Sequence, residues 1–180
     1  MTAHTVARRK ELESIMRNPN TNANWADIDI RLANSEDAPV IEAVLSQSFE
    51  EYKSHYTDGA FQAAAPPLNV ILRRMEEGPV WVAEQNGEVV GTISVRRKGN
   101  TLLLRGLAVL PAERGRAIGK QLLIHVARYA FENGCRRMAL TASPFLARVL
   151  REVEQFGFER SPTGPESVHG TPVYSLTKRI

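Results

Sequence analysis

The stretch VLPAERGRAIGKQLL, residues 109–123, places basic side chains and glycines where an apolar strand leads into a helix of amphipathic spacing. Its cations are Arg114, Arg116 and Lys120. The first turn of a helix has unpaired N–H groups and a partial positive charge, so glycines that admit a ligand and nearby cations favour an anion, above all phosphate. The competing interpretation is a solvated basic helix start. A P-loop is excluded because Gln121 follows Lys120, and the GxGxxG pattern is absent here.

Cysteine and histidine offer little other chemistry. Cys135 is the only cysteine, so we expect neither an internal disulfide nor a cysteine-based zinc site, and we expect a small buried side chain. The histidines lie far apart in the sequence without the spacing of metal ligands; they are His4, His55, His125 and His169. We therefore expect no metal.

Length and composition bound the class of protein. The 180 residues, 43% of them hydrophobic, suffice for one well-packed domain. A formal net charge of +3 is small, so we expect neither a nucleic-acid nor a membrane partner, and a basic cleft for a small anion explains it equally well. No segment approaches about 18 consecutive apolar residues, and the polar N-terminus lacks the apolar core of a secretory signal. We expect a cytoplasmic protein.

Hydrophobic periodicity predicts the element order β-α-α-β-β-β-α-β-α-β. The clearest signal is VWVAEQNGEVVGTISV, residues 80–95, where Asn86-Gly87 favours the type I′ turn of a hairpin. Ser35 is expected to cap the first helix and Pro144 to begin the last. Residues 1–26 are predicted to be an extension and linker, and 27–180 the folded domain. The other predicted strands are 28–33, 101–110, 135–142 and 171–178, and the helices are 38–52, 68–77, 116–133 and 144–156.

The order of these elements predicts the fold class. A strand, a long helix and a further strand form a crossover unit, which makes the strands at 101–110 and 135–142 parallel. The hairpin that precedes them is antiparallel. We therefore expect an α/β domain of the α+β kind, with a mixed sheet and helices on both faces.

With these elements in place, the chain resembles the GNAT superfamily of acyl-CoA-dependent N-acyltransferases. The family signature, Q/R-x-x-G-x-G/A after a strand that ends in V-x-P, corresponds to residues 114–119 after Val109-Leu110-Pro111. The element order, the Asn-Gly hairpin and QFGFER at 155–160 also fit. The resemblance implies a mixed, mostly antiparallel sheet of about six to seven strands, flanked by helices and splayed between the fourth and fifth strands.

The resemblance also implies a coenzyme A site, with acetyl-CoA or another acyl-CoA as cosubstrate and no metal. The fourth strand would bind the pantetheine arm through Leu107, Ala108 and Val109, next to a bulge at Gly106. Ala117 stands where the family's first glycine usually is, and we expect it to have a right-handed helical φ. The loop that would surround the pyrophosphate consists of Arg114, Gly115, Arg116, Ala117, Ile118, Gly119 and Lys120.

The usual catalytic side chains of the family are missing. Many members have a general-acid tyrosine four residues before the glycine of the Gly-Phe pair, and that position is Val153, which the resemblance places beside the thioester sulfur. The fourth strand, TLLLRGLAV, also lacks the acid that often deprotonates the amine. The sequence leaves the catalytic residues open; the candidates are Tyr56, His55, His169 and Ser143.

These observations favour an N-acyltransferase that moves an acetyl group from acetyl-CoA to an amine of a small molecule or protein. The alternatives are a non-catalytic acyl-CoA-binding sensor or partner domain and, on the charge balance alone, a nucleic-acid binder. The acceptor is open, although nearby loops carry acids that could attract a cationic amine: Glu50, Glu51, Asp58 and Glu166. The last strand would present an open edge, and the family's habits favour a homodimer.

Overall fold

The computed structural model describes residues 28–180, so the predicted extension 1–26 lies outside the described residues. Short 3-10 turns link several of the regular elements that follow. The strands are β1 Ile28–Leu32, β2 Val80–Gln85, β3 Glu88–Lys98, β4 Thr101–Val109, β5 Arg137–Ala142, β6 Glu159–Arg160, β7 Glu166–Val168 and β8 Thr171–Arg179. The α-helices are α1 Ala38–Glu50, α2 Asp58–Ala64, α3 Leu68–Glu77, α4 Ile118–Glu132 and α5 Ala147–Gln155.

The strands form one mixed sheet in the order β1-β2-β3-β4-β5-β8-β6, and β7 pairs with β8. Only the β4–β5 pair is parallel; the other pairs described are antiparallel. Pairing of β4 with β5 stops after Leu103 and Ala139, although both strands continue. The predicted mixed sheet and its splay between the fourth and fifth strands are confirmed.

Two local features of the sheet follow directly from the sequence. Asn86 and Gly87 have φ values of +53° and +81°, as the type I′ hairpin turn requires. Gly106 has φ of +60° within β4, and there two residues of β4 oppose the single residue Ile93 of β3. The predicted bulge at Gly106 is therefore confirmed, and a left-handed φ explains why glycine occupies it.

Helices cover both faces of the sheet, as predicted. One core cluster packs α4 and α5 against side chains such as Ile93 and Leu102, and a second packs α1 and α3 against Val80 and Val82. Trp81, between these two valines, belongs to the first cluster, because successive residues of a strand point to opposite faces. The expectation that Cys135 is buried is also confirmed.

Two predicted helix starts are wrong. Asn34, rather than Ser35, is the capping residue, and it caps the 3-10 turn Ser35–Asp37 that leads into α1. Its side chain accepts a hydrogen bond from the N–H of Glu36, and the Asp37 carboxylate accepts one from the N–H of Asn34. A 3-10 turn before α1 moves the first unpaired N–H groups earlier in the chain. Pro144 lies in a turn instead of a helix, since α5 begins at Ala147. A proline fits either position because it has no N–H to satisfy.

The segment after α1 and the C-terminal strands also differ from expectation. Helix α2 lies between the predicted helices 38–52 and 68–77, where no helix is predicted, and β6 and β7 are too short to give a periodic signal. Both short strands pair with β8, which also pairs with β5. The predicted open edge of the last strand is therefore wrong, and the homodimer stays a prediction without that argument.

Candidate active site

A cleft with a volume of about 290 Å³ lies at the end of β4, beyond the point where β4 stops pairing with β5. It extends from the end of β4 to the loop that precedes α4, with α5 forming the opposite wall. Its lining includes Leu107, Ala108 and Val109 and every residue of the predicted loop 114–120 except Arg116. We call this the loop cavity.

The end of β4 presents backbone groups to the loop cavity. Leu110 N–H donates to the carbonyl of Val90 on β3 (2.9 Å). Because alternate residues of an antiparallel strand bond to the same neighbour, the N–H of Val109 points away from β3 and into the splay. The carbonyl of Val109 is engaged, since it accepts hydrogen bonds from the hydroxyl of Ser48 (3.1 Å) and from Arg114 Nε (3.4 Å).

Ala117 caps the N-terminus of α4 in the left-handed region, with φ of +58° and ψ of +16°. The expectation of a right-handed helical φ is therefore wrong. The chain enters α4 by a sharp turn, in which Gly115 also has a positive φ of +87°. The methyl group of Ala117 is strained in this conformation, which glycine adopts without cost.

Replacing Ala117 by glycine is expected to raise the free energy of unfolding by about 0.5–1 kcal/mol. A left-handed backbone costs an alanine roughly 1–2 kcal/mol, and the greater freedom of glycine in the unfolded chain offsets about 0.4–1 kcal/mol of the gain. Urea denaturation measures the change. The matched control, Ala147→Gly in the exposed first turn of α5, should lower stability instead. A destabilised Ala117→Gly protein would contradict this interpretation.

Arg114 is held by protein groups. Its guanidinium donates to the carbonyl of Ser48 (2.9 Å) and forms an ion pair with Glu51, besides its bond to Val109. These contacts join the C-terminal end of α1 to the end of β4. Arg114 therefore positions the cavity wall, and only part of its charge remains for a ligand.

The other cations of the loop differ in their availability. Arg116 forms an ion pair with Glu113 (2.9 Å) and donates to the Gln85 side chain (3.2 Å). Among residues 28–180, Lys120 forms no ion pair, and it lines the loop cavity. It is therefore the loop cation most available to an anion.

Two residues of α5 face the loop across the cavity, and the sequence patterns did not single them out. Arg148 Nη2 lies 3.9 Å from the place where a Cβ on Gly115 would be, and Glu152 Oε2 lies 3.3 Å from the corresponding place on Gly119. Arg148 and Glu152 pair with each other (3.2 Å). Their spacing of four residues is typical of a solvated helix pair, so only the fold indicates that this pair lies over the loop.

A second cavity of about 270 Å³ continues from the first toward the inner part of the splay. We call it the inner cavity. It shares Phe49, Leu107, Leu146 and Val149 with the loop cavity, so the two spaces meet at these four residues. Its lining is mainly apolar; the polar and charged members are Tyr56, Arg74, Arg105, Thr141, Ser143 and Thr171.

Of the four catalytic candidates, the fold brings Tyr56 and Ser143 together in the inner cavity. Burial raises the pKa of Tyr56, and the neighbouring Ser143 hydroxyl opposes this rise. The Tyr56 ring contacts Phe49 and Phe145, with centroids 6.4 and 4.8 Å away. Tyr56 is therefore a neutral phenol at neutral pH, placed next to one of the residues that both cavities share.

The two histidine candidates lie outside both cavity linings. His55 is exposed and stacks on Phe145 (5.2 Å). His169 is exposed in the turn before β8, with φ of +50°, and its carbonyl accepts a hydrogen bond from the Thr57 hydroxyl. Both residues therefore contact the loops around the inner cavity without lining it.

Val153 lies in the hydrophobic core with no exposed surface. It is one helical turn after Val149, which lines both cavities, but Val153 itself lines neither. Its side chain packs in the cluster that contains Leu150 and Phe158.

Comparison with known proteins agrees with this geometry. The model of the Acetyltransferase (GNAT) family matches residues 40–158, more than half of the chain. The uncharacterized N-acetyltransferase YjgM of Escherichia coli is 29% identical over 136 residues, which cover 72% of this chain and 81% of that protein.

Solved structures share the fold. The PaiA N-acetyltransferase of Thermoplasma acidophilum, crystallised with coenzyme A, has a TM-score of 0.69 at 20% identity, covering 85% of this chain and 99% of that one. A GNAT family acetyltransferase of Elizabethkingia anophelis with acetyl-CoA bound has a TM-score of 0.65 at 18% identity, covering 86% and 99%. Among residues 28–180, no helix combines the length and apolarity needed to cross a membrane.

Because the family model matches more than half of the chain, the chain belongs to the GNAT family of acetyltransferases, enzymes that transfer an acyl group from acetyl-CoA to an amine.

Proposed function

We propose that acetyl-CoA occupies the loop cavity and that the acceptor amine enters through the inner cavity. The observation that carries this proposal is the junction at Phe49, Leu107, Leu146 and Val149, where a ligand in one cavity would contact a ligand in the other. Holding two reactants in contact converts a bimolecular reaction into an effectively unimolecular one. The domain 27–180 would supply both sites.

The coenzyme would be held mainly by backbone groups. The amides of residues 115–120 would surround the pyrophosphate at the N-terminus of α4, where unpaired N–H groups and the helix dipole favour an anion. Lys120 would supply the most available cation, because Arg114, Arg116 and Arg148 are each engaged in an ion pair. The pantetheine arm would lie along Leu107, Ala108 and Val109.

The reaction joins the amine nitrogen to the thioester carbonyl carbon and breaks the carbon–sulfur bond. The sulfur leaves with the electron pair of that bond and takes up one proton, while the nitrogen loses one, so that an amide and a free thiol result. The N–H of Val109 would polarise the carbonyl, since it points into the splay. Tyr56 would donate the proton to the sulfur and recover one from the amine through solvent.

The proposal is tested by supplying acetyl-CoA with a panel of small amines and peptides. We expect coenzyme A to bind in calorimetry, free thiol to be released only when an acceptor is present, and the acetylated product to appear by mass spectrometry. Failure of coenzyme A to bind would contradict the site. Binding without thiol release for any amine would instead support the non-catalytic alternative.

Replacing Glu152 by glutamine is expected to increase the affinity for coenzyme A. The carboxylate of Glu152 lies over Gly119, where the pyrophosphate would approach, and it also neutralises Arg148. Removing one like charge at a partly exposed site corresponds to about a three- to tenfold tighter complex at low salt. Calorimetric titration at two salt concentrations measures it, and the gain should shrink at high salt. Glu159→Gln, an equal charge change on exposed β6, is the control, and weaker binding by Glu152→Gln would contradict the placement.

A further inference from the structure

The charge of the inner cavity is opposite to what a cationic acceptor requires. Among its lining residues in the described chain, Arg74 and Arg105 are charged and none is acidic. The acids of the surrounding loops, which the sequence analysis considered for attracting an amine, do not line it: Glu50, Glu51, Asp58 and Glu166. Glu51 is also engaged by Arg114.

The two guanidinium groups lie close to each other with only partial compensation. Arg105 Nη1 pairs with Glu77 (2.7 Å), but Arg105 Nε and Nη2 are buried without a hydrogen-bond partner among the described residues. Arg74 donates to the carbonyl of Ala63 (2.9 Å). Arg74 Nη1 lies 3.7 Å from the place where a Cβ on Gly106, the residue after Arg105, would be. Burial lowers the pKa of Arg74, the charge of Arg105 adds to this effect, and Glu77 opposes it. Buried donors without partners are costly, so this arrangement is suited to an anion.

The position of Arg105 sets the geometry of such an anion. Arg105 precedes the Gly106 bulge, and Leu107, two residues along β4, is at the junction of the two cavities. Two residues of a strand span about 6.6 Å. An anionic group bound to the two guanidinium groups would therefore lie close enough to the junction for one small molecule to carry both this group and the reacting amine. The mainly apolar lining of the inner cavity would accommodate an apolar side chain of that molecule.

We propose, resting on the function proposed above, that the acceptor is a small amine that carries a carboxylate, an amino acid with an apolar side chain, and that Arg74 and Arg105 bind this carboxylate. A guanidinium binds a carboxylate through two parallel hydrogen bonds.

Matched acceptors test the proposal. Thiol release from acetyl-CoA is measured with leucine, leucinamide and 3-methylbutylamine, with the corresponding phenylalanine set, and with 1,5-diaminopentane. The amide removes the negative charge while keeping the shape. Loss of a charge-assisted hydrogen bond at a buried site predicts that kcat/KM is about 10- to 100-fold higher for the amino acid than for its amide. The diamine should be the poorest acceptor.

Variants assign the preference to the two arginines. Arg74→Gln and Arg105→Gln should each reduce the ratio of amino acid to amide to about threefold or less, mainly by raising KM for the amino acid. Arg73→Gln removes the same charge from the exposed neighbouring position of α3 and should keep the wild-type ratio. Thermal melting and coenzyme A binding confirm that each protein is folded.

The outcomes separate the two proposals. Equal use of amino acid and amide, or a preference that survives in both variants, would overturn the carboxylate site. Coenzyme A binding with no acetylation in either amino acid set would also overturn it, while the coenzyme site would stand. Failure of the wild-type protein to bind coenzyme A would overturn the proposed function and, with it, this inference.

Discussion

Replacement of Gly119 by valine is expected to weaken coenzyme A binding about 100-fold. Gly119 lies in the first turn of α4, and the pyrophosphate would approach its backbone closely. A branched side chain there blocks two or more charge-assisted hydrogen bonds, each of which contributes about 1.5–3 kcal/mol. Calorimetric titration with coenzyme A measures the loss, and Gly119→Ala should give a smaller one.

The fold itself should tolerate this substitution. Gly119 does not have a left-handed φ, and a Cβ there would meet the movable carboxylate of Glu152 at 3.3 Å and Val109 at 3.9 Å. The matched control is Gly59→Val in exposed α2, where a Cβ meets His169 at 3.5 Å and neither cavity is changed. It should leave the affinity unchanged. A Gly119→Val protein with wild-type affinity would exclude the loop amides as the pyrophosphate site.

The second large effect is expected at Tyr56, where phenylalanine should lower kcat about 100-fold and change KM for acetyl-CoA little. General acid–base groups contribute about 10²–10⁴ to the rate, and the ring contacts with Phe49 and Phe145 remain in the variant. Ser143→Ala removes the hydroxyl beside Tyr56 and should have a smaller effect. Single-turnover kinetics with saturating acceptor separate the chemical step from binding and product release.

The control for this prediction is Tyr129→Phe. Tyr129 packs against Trp81 with ring centroids 5.0 Å apart and lines neither cavity. This variant loses a hydroxyl of the same type and should keep the wild-type kcat. If Tyr56→Phe also keeps it, Tyr56 does not carry the proton, and the inner cavity must supply the proton from solvent.

Much of the fold could be predicted from local sequence because local chemistry decides it. The Asn86-Gly87 turn needs positive φ at both residues, which fixes the hairpin and its register. The periodicity of α4 and the alternation of β4 follow from which side chains are buried. The cavity residues at the end of β4 and in the loop before α4 are near in sequence, so one short stretch carries their signal.

Features that depend on contacts between distant residues had no such signal. Arg114 forms an ion pair with Glu51, which follows α1 and lies 63 residues earlier in the chain, so this ion pair cannot be predicted from the sequence of the loop. Ala117 has a left-handed φ because the chain must turn sharply into α4, although alanine by itself prefers the right-handed region. The strands β6 and β7 form only because β8 offers them partners.

The sequence by itself determined the family, the order of the main elements and the stretch that would bind the coenzyme, since these rest on local patterns and backbone preferences. The tertiary structure decided the charge and the lining of the inner cavity, where we propose that the acceptor binds. Arg74 on α3, Arg105 on β4, and Tyr56 after α1 line one cavity because the bulge in β4 and the splay from β5 bring three separate segments together. Electrostatic interactions depend on distance in space, and sequence separation does not report that distance.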